Sequence, residues 1–245
     1  MSNKTLIINA LICNEGAERQ GSVLIEGEYI SRVEYGKDAL TENFEGEIID
    51  AKGKTLMPGV IDDQVHFREP GHTHKADIQS ETRAAVAGGV TSIMEMPNTN
   101  PPTTTIEALD AKFALGAKKS YANYSFYMGA TNDNVDEIKK VNPKRVCGVK
   151  VFMGSSTGNM LVNDEEALNQ IFEHAPCLIA THCEDEELIE SKKEEYKSKY
   201  GDEIPVKYHP EIRNAEACHK SSSKAIALAK KHGSRLHVLH LTTAV

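Results

Sequence analysis

The sequence has no excess of basic residues, no long apolar run and no closely spaced pair of cysteines. Its 28 Lys and Arg residues against 36 Asp and Glu give a net charge of −8. This argues against a nucleic-acid-binding surface, because few cations are left to neutralise phosphates. No apolar run approaches the roughly 20 residues that span a bilayer, and the first residues show no leader pattern. We therefore expect neither nucleic acid nor a membrane as a partner.

The cysteines point to a reducing compartment. There are five of them, an odd number, and none shows CxxC spacing. This predicts free thiols rather than a disulfide scaffold or a thiolate zinc site. Free thiols are typical of cytoplasmic proteins, so we expect a cytoplasmic location.

The pattern of the chain changes after about residue 56. Up to that point, short apolar runs separated by Gly, Asn and charged residues predict a small β domain over residues 1–56. Over residues 57–245, apolar runs alternate with helical patterns, which predicts an α/β domain with a parallel sheet and right-handed crossovers. Six runs are strand candidates: 60–67, 91–96, 124–128, 146–153, 177–182 and 236–241.

Most of these strand candidates carry a polar, ligand-capable residue at or near their carboxyl end: His66, Asn98, Lys150, His182 and His240. In a barrel of parallel strands, the carboxyl ends open onto one face, where active sites are built. A single histidine at a strand end is usually structural, but five such residues on one rim predict a functional site. Imidazole is a good zinc ligand, so three histidines indicate a metal site.

Lys150 lies inside the apolar run Val-Lys-Val-Phe-Met. Burying a charged lysine there is costly. One interpretation is that its aliphatic stem packs in the strand while the ammonium reaches water. The other is that the amine is held neutral and reacts with carbon dioxide, giving an anionic carbamate that can bridge two cations and is stabilised by them.

Arg68 and Asn98 suggest the kind of substrate. A guanidinium binds a planar carboxylate through two hydrogen bonds, and an amide NH2 adds another. Each residue also has a structural interpretation. Arg68 would pair with Glu69 at the surface, and Asn98 would shape the turn before Pro101 and Pro102.

These motifs resemble those of a known family. Val-His-Phe-Arg-Glu-Pro-Gly (65–71) followed by Met-Pro-Asn-Thr-Asn-Pro-Pro (96–102) is similar to the paired signature of dihydroorotases and their close relatives. Gly-Val-Lys-Val-Phe-Met (148–153) resembles the carbamylated-lysine strand of the dihydroorotase, hydantoinase and allantoinase group. Thr-His-Cys-Glu (181–184) and Leu-His-Leu-Thr-Thr (239–243) resemble its fifth- and sixth-strand histidine motifs.

The resemblance implies a metal-dependent cyclic-amide hydrolase of the amidohydrolase superfamily. Its fold would be an incomplete TIM-type (β/α)8 barrel, with the first six βα units in 57–245 and the N-terminal part of a small β-sandwich in 1–56. Its activity would be the reversible hydrolysis of dihydroorotate to N-carbamoyl-aspartate in de novo pyrimidine biosynthesis. A homodimer is implied as well.

The resemblance also assigns roles to individual residues. His66, Lys150 as a carbamate, His182 and His240 would ligate one or two zinc ions. Arg68 and Asn98 would clamp the substrate carboxylate, and His237 would be a supporting residue and not a ligand.

Two departures from the family pattern leave alternatives open. Gln64 stands where the family usually has the first histidine of His-x-His, and a glutamine carbonyl is a weaker, neutral ligand. The proton-transferring aspartate and the last barrel strands are expected beyond Val245, so the chain alone is expected to lack a catalytic group and to be inactive. A hydantoinase or allantoinase is the nearest alternative. A non-catalytic structural partner of aspartate carbamoyltransferase is the alternative from another class.

Overall fold

The strands and helices follow the two patterns seen in the sequence. The computed structural model describes residues 4–36, 44–154 and 158–244. The strands are β1 (Lys4–Asn14), β2 (Ala17–Glu26), β3 (Tyr29–Tyr35), β4 (Glu47–Asp50), β5 (Thr55–Leu56), β6 (Val60–Val65), β7 (Val90–Glu95), β8 (Asn123–Gly129), β9 (Gly148–Phe152), β10 (Ile179–His182) and β11 (Leu236–Val238). The helices are α1 (Ile78–Ala87), α2 (Ile106–Lys119), α3 (Val135–Lys139), α4 (Glu165–His174), α5 (Glu186–Tyr200), α6 (His209–Ile212) and α7 (Ala215–His232). Short 3₁₀ segments lie at Gly158–Met160 and Val206–Tyr208.

The first of two compact units, Met1–Val60, is a β-sheet. Its strands lie in the order β3-β2-β1-β4, with β5 also paired to β1. The first three strands are antiparallel neighbours, whereas β4 and β5 run parallel to β1. Ala10, Ile12 and Val23 form its buried apolar cluster. The sheet agrees with the predicted β domain, while its membership of a sandwich remains a prediction.

The second unit, Ile61–Val245, contains the predicted parallel sheet. Its six strands lie in chain order from β6 at one edge to β11 at the other, and the neighbouring strands from β7 to β11 run parallel. All six strand candidates are confirmed, although the last is shorter than predicted. It ends at Val238, and His240 takes a φ of 35° that an extended strand cannot continue.

The parallel sheet curls on itself. Nδ1 of His237 on β11 lies 3.5 Å from Oδ2 of Asp63 on β6, although these strands form opposite edges of the sheet. This is the curvature of a half-barrel. Closure into a complete eight-stranded barrel remains a prediction.

The alternation of side chains along each strand sorts the sheet into two faces. Val149 and Val151 of β9 belong to the large apolar core that also includes Leu168 and Phe172 of α4. Lys150, between the two valines, therefore points to the inner, concave face of the sheet. Within the described ranges, no helix is both long and apolar enough to cross a membrane.

Candidate active site

The ends of β6 and β7 are joined through His66 and Asn98. Nδ1 of His66 lies 2.9 Å from Oδ1 of Asn98. Because an amide oxygen only accepts, Nδ1 carries the proton and Nε2 keeps its lone pair. Burial, and then the nearby Arg68 guanidinium, lower the pKa of His66 to about 4. The imidazole is therefore neutral near pH 7 and has one nitrogen available as a ligand.

The Arg68 guanidinium has no partner in the part of the chain that the structure describes. The side chain is half-buried, and within the described residues it makes no hydrogen bond or ion pair. The predicted surface pair with Glu69 is wrong. The carboxylate of Glu69 is buried, accepts a hydrogen bond from the amide of Ile78 at 2.9 Å and pairs with Lys119. Arg68 is thus free to bind an anion beside His66.

The two signature loops are packed into one unit. The amide of Asn100 donates to the carbonyl of Pro70 at 3.0 Å. Gly71 has a φ of 87°, and a Cβ at this position would collide with the carbonyl of Asn100. Only glycine fits such a close approach of two backbones at a positive φ. The spacing between Arg68 and Asn98 therefore depends on both loops together.

Lys150 is buried without a polar partner. The side chain is 1% exposed, and Nζ has no hydrogen-bond partner among the described residues. The ammonium position lies 4.5 Å from the ring centre of Phe152. Burial lowers the pKa of Lys150 to about 7. The interpretation in which the head group reaches water is therefore wrong, and a neutral amine is accessible near physiological pH.

This burial predicts a pH dependence of stability for the protein stripped of metal and carbon dioxide. Since the pKa of Lys150 is lower in the folded than in the unfolded state, the cost of burying the ammonium is fully present below pH 7. Stability should rise above pH 7, where only the unfolded state still holds the proton. Between pH 7 and 9 the wild type should gain about 2 kcal/mol of unfolding free energy over Lys150→Met. Denaturant titrations of both proteins test this, and parallel pH profiles would contradict it.

His182 and His240 face each other at the ends of β10 and β11. Nδ1 of His182 lies 3.1 Å from Nε2 of His240. On the other side of the ring, Nε2 of His182 donates to Glu184 at 2.7 Å, and Arg213 forms a two-bond ion pair with the same carboxylate. Although its own burial opposes this, the hydrogen bonds from His182 and Arg213 and the charge of the Arg213 guanidinium hold the pKa of the Glu184 carboxyl far below its usual range. Glu184 thus fixes the proton of His182 on Nε2 and turns Nδ1 toward His240.

The facing nitrogens fit a metal ion. Two nitrogen ligands on a tetrahedral zinc ion lie roughly 3.3 Å apart, close to the 3.1 Å separation of Nδ1 and Nε2. Two lone pairs at this distance repel each other unless a proton or a cation lies between them. The partnerless amine of Lys150 on the same concave face is the kind of orphaned buried group that a metal-stabilised carbamate would satisfy.

The predicted ligands do not all converge. Across residues 4–36, 44–154 and 158–244, no group of three or more His, Cys, Asp or Glu side chains is placed to hold a metal. His66 faces Asn98, whereas His182 and His240 face each other. Gln64 is half-buried on β6, two residues before His66 and therefore on the same side of the chain. The arrangement needs Lys150 to become anionic before it offers a third strong ligand to the His182–His240 pair.

A family model described as dihydro-orotase-like matches residues 53–244. The chain belongs to the dihydro-orotase-like family. It is 32% identical over 242 residues to a dihydroorotase of Methanosarcina acetivorans, covering 97% of this chain and 50% of the relative. It is 30% identical over 255 residues to an allantoinase of Deinococcus radiodurans, covering 99% and 54%.

A solved structure supports the fold. The chain superimposes on an L-hydantoinase (dihydropyrimidinase) from Arthrobacter aurescens with a TM-score of 0.90 and 26% identity, covering 98% of this chain and 53% of that one. The chain thus spans about half the length of the curated relatives and solved structures it matches. Its half-barrel sheet agrees with that of a cyclic amidohydrolase.

Besides the pair of Glu69 with Lys119 described above, sequence reasoning missed two further supporting ion pairs. Glu184 could have been noticed in the sequence, because it follows His182 by two residues. Its partner Arg213 could not, because it lies 29 residues further along the chain. The second pair is Glu95 with Lys112. Glu95, like Lys150, is a charged residue inside an apolar strand, and this pattern could have indicated a buried charge.

Proposed function

We propose that this chain carries the carboxylate-binding and metal-binding part of a dihydroorotase, which hydrolyses the ring amide of dihydroorotate to N-carbamoyl-aspartate and catalyses the reverse closure. The main observation behind this proposal is the half-buried guanidinium of Arg68, which has no partner among the described residues and lies beside the His66–Asn98 contact. A free guanidinium next to an amide is suited to a planar carboxylate. Dihydroorotate carries such a group on its ring.

The comparisons support this choice without separating it from its neighbours. A relative named dihydroorotase and one named allantoinase match nearly the whole chain. Hydantoin and allantoin are also cyclic amides, but neither ring carries a carboxylate. The free Arg68 therefore favours dihydroorotate, and a hydantoinase-type or allantoinase-type activity is the second candidate.

Arg68 and Asn98 would orient the substrate. Asn98 uses its oxygen on His66, which leaves its NH2 group to donate to the substrate. Two loops packed against each other hold these donors, so the ring is fixed with its amide over the concave face. Such orientation is a large source of rate enhancement, because it removes the cost of bringing the reacting groups together. We assign no residue of this chain to proton transfer.

The metal would be zinc, one or two ions per chain. His182, His240 and Lys150 as a carbamate derived from CO2 would hold the first ion, and His66 with the carbamate would hold a second. Gln64 supplies only a neutral amide oxygen to this second position, so we propose that the second zinc ion binds more weakly than the first. When bound, zinc polarises the amide carbonyl and lowers the pKa of water toward 7.

Glu184→Gln should weaken zinc binding about 10- to 100-fold, the usual cost of losing the partner that orients a histidine ligand. The glutamine amide can present either its oxygen or its NH2 to His182, so the proton is no longer fixed on Nε2. Competition with a chelator measures the affinity. Glu190→Gln on the exposed face of α5 is the matched control and should leave it unchanged. Equal affinities for wild type and Glu184→Gln would contradict the orienting role.

A non-catalytic partner of aspartate carbamoyltransferase is the proposal from another class, and Gln64 is the residue that favours it. The zinc content of the whole protein, measured by elemental analysis, distinguishes the binuclear enzyme, the mononuclear enzyme and the structural partner. About two zinc ions per chain supports the binuclear enzyme, and one supports an enzyme whose Gln64 position is empty. None supports the structural partner. We further propose a cytoplasmic homodimer, which sedimentation of the same sample would test.

A further inference from the structure

A buried ion pair lies beneath the two loops that carry Arg68 and Asn98. Nζ of Lys112 on α2 lies 2.6 Å from Oε2 of Glu95, the last residue of β7, and each side chain is 1% exposed. Met96, the residue after Glu95, packs with Ala180, which is paired with Lys150 on the concave face. Glu95 therefore points to the opposite face of the sheet, where Nζ of Lys112 also donates to the Met96 carbonyl at 2.8 Å. The pair is therefore separate from the site itself.

The pair acts on the backbone through Met96. Lys112 donates to the Met96 carbonyl and so holds the chain two residues before Asn98. The amide of the same Met96 donates to the carbonyl of Val65, the last residue of β6, at 3.0 Å. The ion pair thus holds the residue that joins the ends of β6 and β7.

The backbone held in this way is an unfavourable one. Arg68 has a φ of 66°, a conformation that a non-glycine residue keeps only when its surroundings hold it. A second lysine of α2 acts on the same loop. Lys119, seven residues after Lys112 and therefore on the same side of the helix, pairs with the buried Glu69. Two turns of α2 thus fix the loop that presents Arg68.

Stability does not explain the pair by itself. A buried ion pair is often replaced by well-packed apolar side chains with no loss of stability, whereas removing one partner leaves a costly unpaired charge. We propose that Glu95 and Lys112 are positioning residues that hold the loops of Arg68 and Asn98 at the spacing needed to grip a carboxylate. This inference rests on the proposed function and assigns the specificity of that site to a pair that never touches substrate.

The test compares the whole wild-type protein with the double variant Glu95→Leu and Lys112→Met, which replaces the pair by apolar side chains. The control is Asp110→Asn, a substitution on the same helix α2 that breaks the exposed ion pair between Asp110 and Arg145. Two quantities are measured for each protein: amide hydrogen exchange of residues 66–72 and 96–103, and steady-state kinetics with dihydroorotate.

The double variant should unfold near the wild-type temperature and exchange faster in both segments. Its KM for dihydroorotate should rise about tenfold while kcat stays within about twofold, because binding through the carboxylate is what is lost. The control should match the wild type in both measurements. Wild-type exchange in both segments, or faster exchange with an unchanged KM, would overturn the positioning role.

A second variant keeps the test decisive if the double variant does not fold. Glu95→Gln keeps the shape of the side chain and an oxygen for Lys112 to contact but removes the negative charge, so residues 66–72 and 96–103 should exchange faster while the rest of the chain exchanges as in the wild type. Equal acceleration throughout the chain would overturn the proposal. The exchange measurement needs no substrate, so a wild-type protein that fails to turn over dihydroorotate would refute the proposed function separately.

Discussion

Replacing Lys150 by alanine in the whole protein should remove the bound zinc and reduce activity by more than about a hundredfold. Loss of a residue that merely orients a ligand already costs 10- to 100-fold, and Lys150 is proposed as a ligand shared by both ions. The residue is buried on the concave face with no other partner among the described residues, so its removal leaves a cavity and no substitute ligand. Elemental analysis and activity assays measure the two losses.

Two controls separate this result from general damage. Lys193→Ala on the exposed face of α5 removes a lysine that pairs with Glu190 far from the predicted ligands, and it should change neither zinc content nor activity. Added acetate or propionate should restore part of the zinc binding of Lys150→Ala, because a small carboxylate fits the vacated space and supplies the missing anion. Unchanged zinc content in Lys150→Ala would refute its role as a ligand.

Replacing Arg68 by methionine should raise the KM for dihydroorotate by roughly 10- to 150-fold. This range corresponds to the 1.5–3 kcal/mol of a hydrogen bond to a charged group. Methionine keeps much of the length of the side chain but loses its charge and its donors. Any activity on hydantoin, which has no carboxylate, should stay nearly constant. Steady-state kinetics on both substrates provide the comparison.

The control for this variant is Arg83→Met on the exposed face of α1, which should leave both KM values at the wild-type level. Because Arg68 lowers the pKa of the neighbouring His66, the variant should also bind zinc at the His66 position at least as tightly as before. An equal loss on both substrates would mean that Arg68 supports the fold of the site and does not recognise the carboxylate.

The sequence was informative wherever chemistry follows from local pattern. Apolar runs that alternate with helical patterns predicted the six strands of the sheet. Polar residues at the strand ends pointed to His66, Asn98, His182 and His240, which the structure places in two separate pairs, and their common role in one site stays a prediction. The position of Lys150 between two valines also made its burial foreseeable, because side chains alternate across a strand. Only the structure decided between its two interpretations, since burial depends on packing from α4 and the neighbouring strands.

The missed ion pairs join residues that are distant along the chain. Lys119 reaches Glu69 across 50 residues, and Arg213 reaches Glu184 across 29. No local period links such residues, and a charged residue on a helix is more often solvated than buried. The left-handed backbone of Arg68 was equally hidden, because residues other than glycine rarely adopt it.

The most direct test of the central claim is to assay dihydroorotate, hydantoin and allantoin side by side with the whole, zinc-loaded protein. The free guanidinium of Arg68 predicts that kcat/KM for dihydroorotate exceeds the other two values by at least about tenfold, the contribution of one charged contact. A preference for hydantoin or allantoin, or no turnover of dihydroorotate in either direction, would contradict the proposed function.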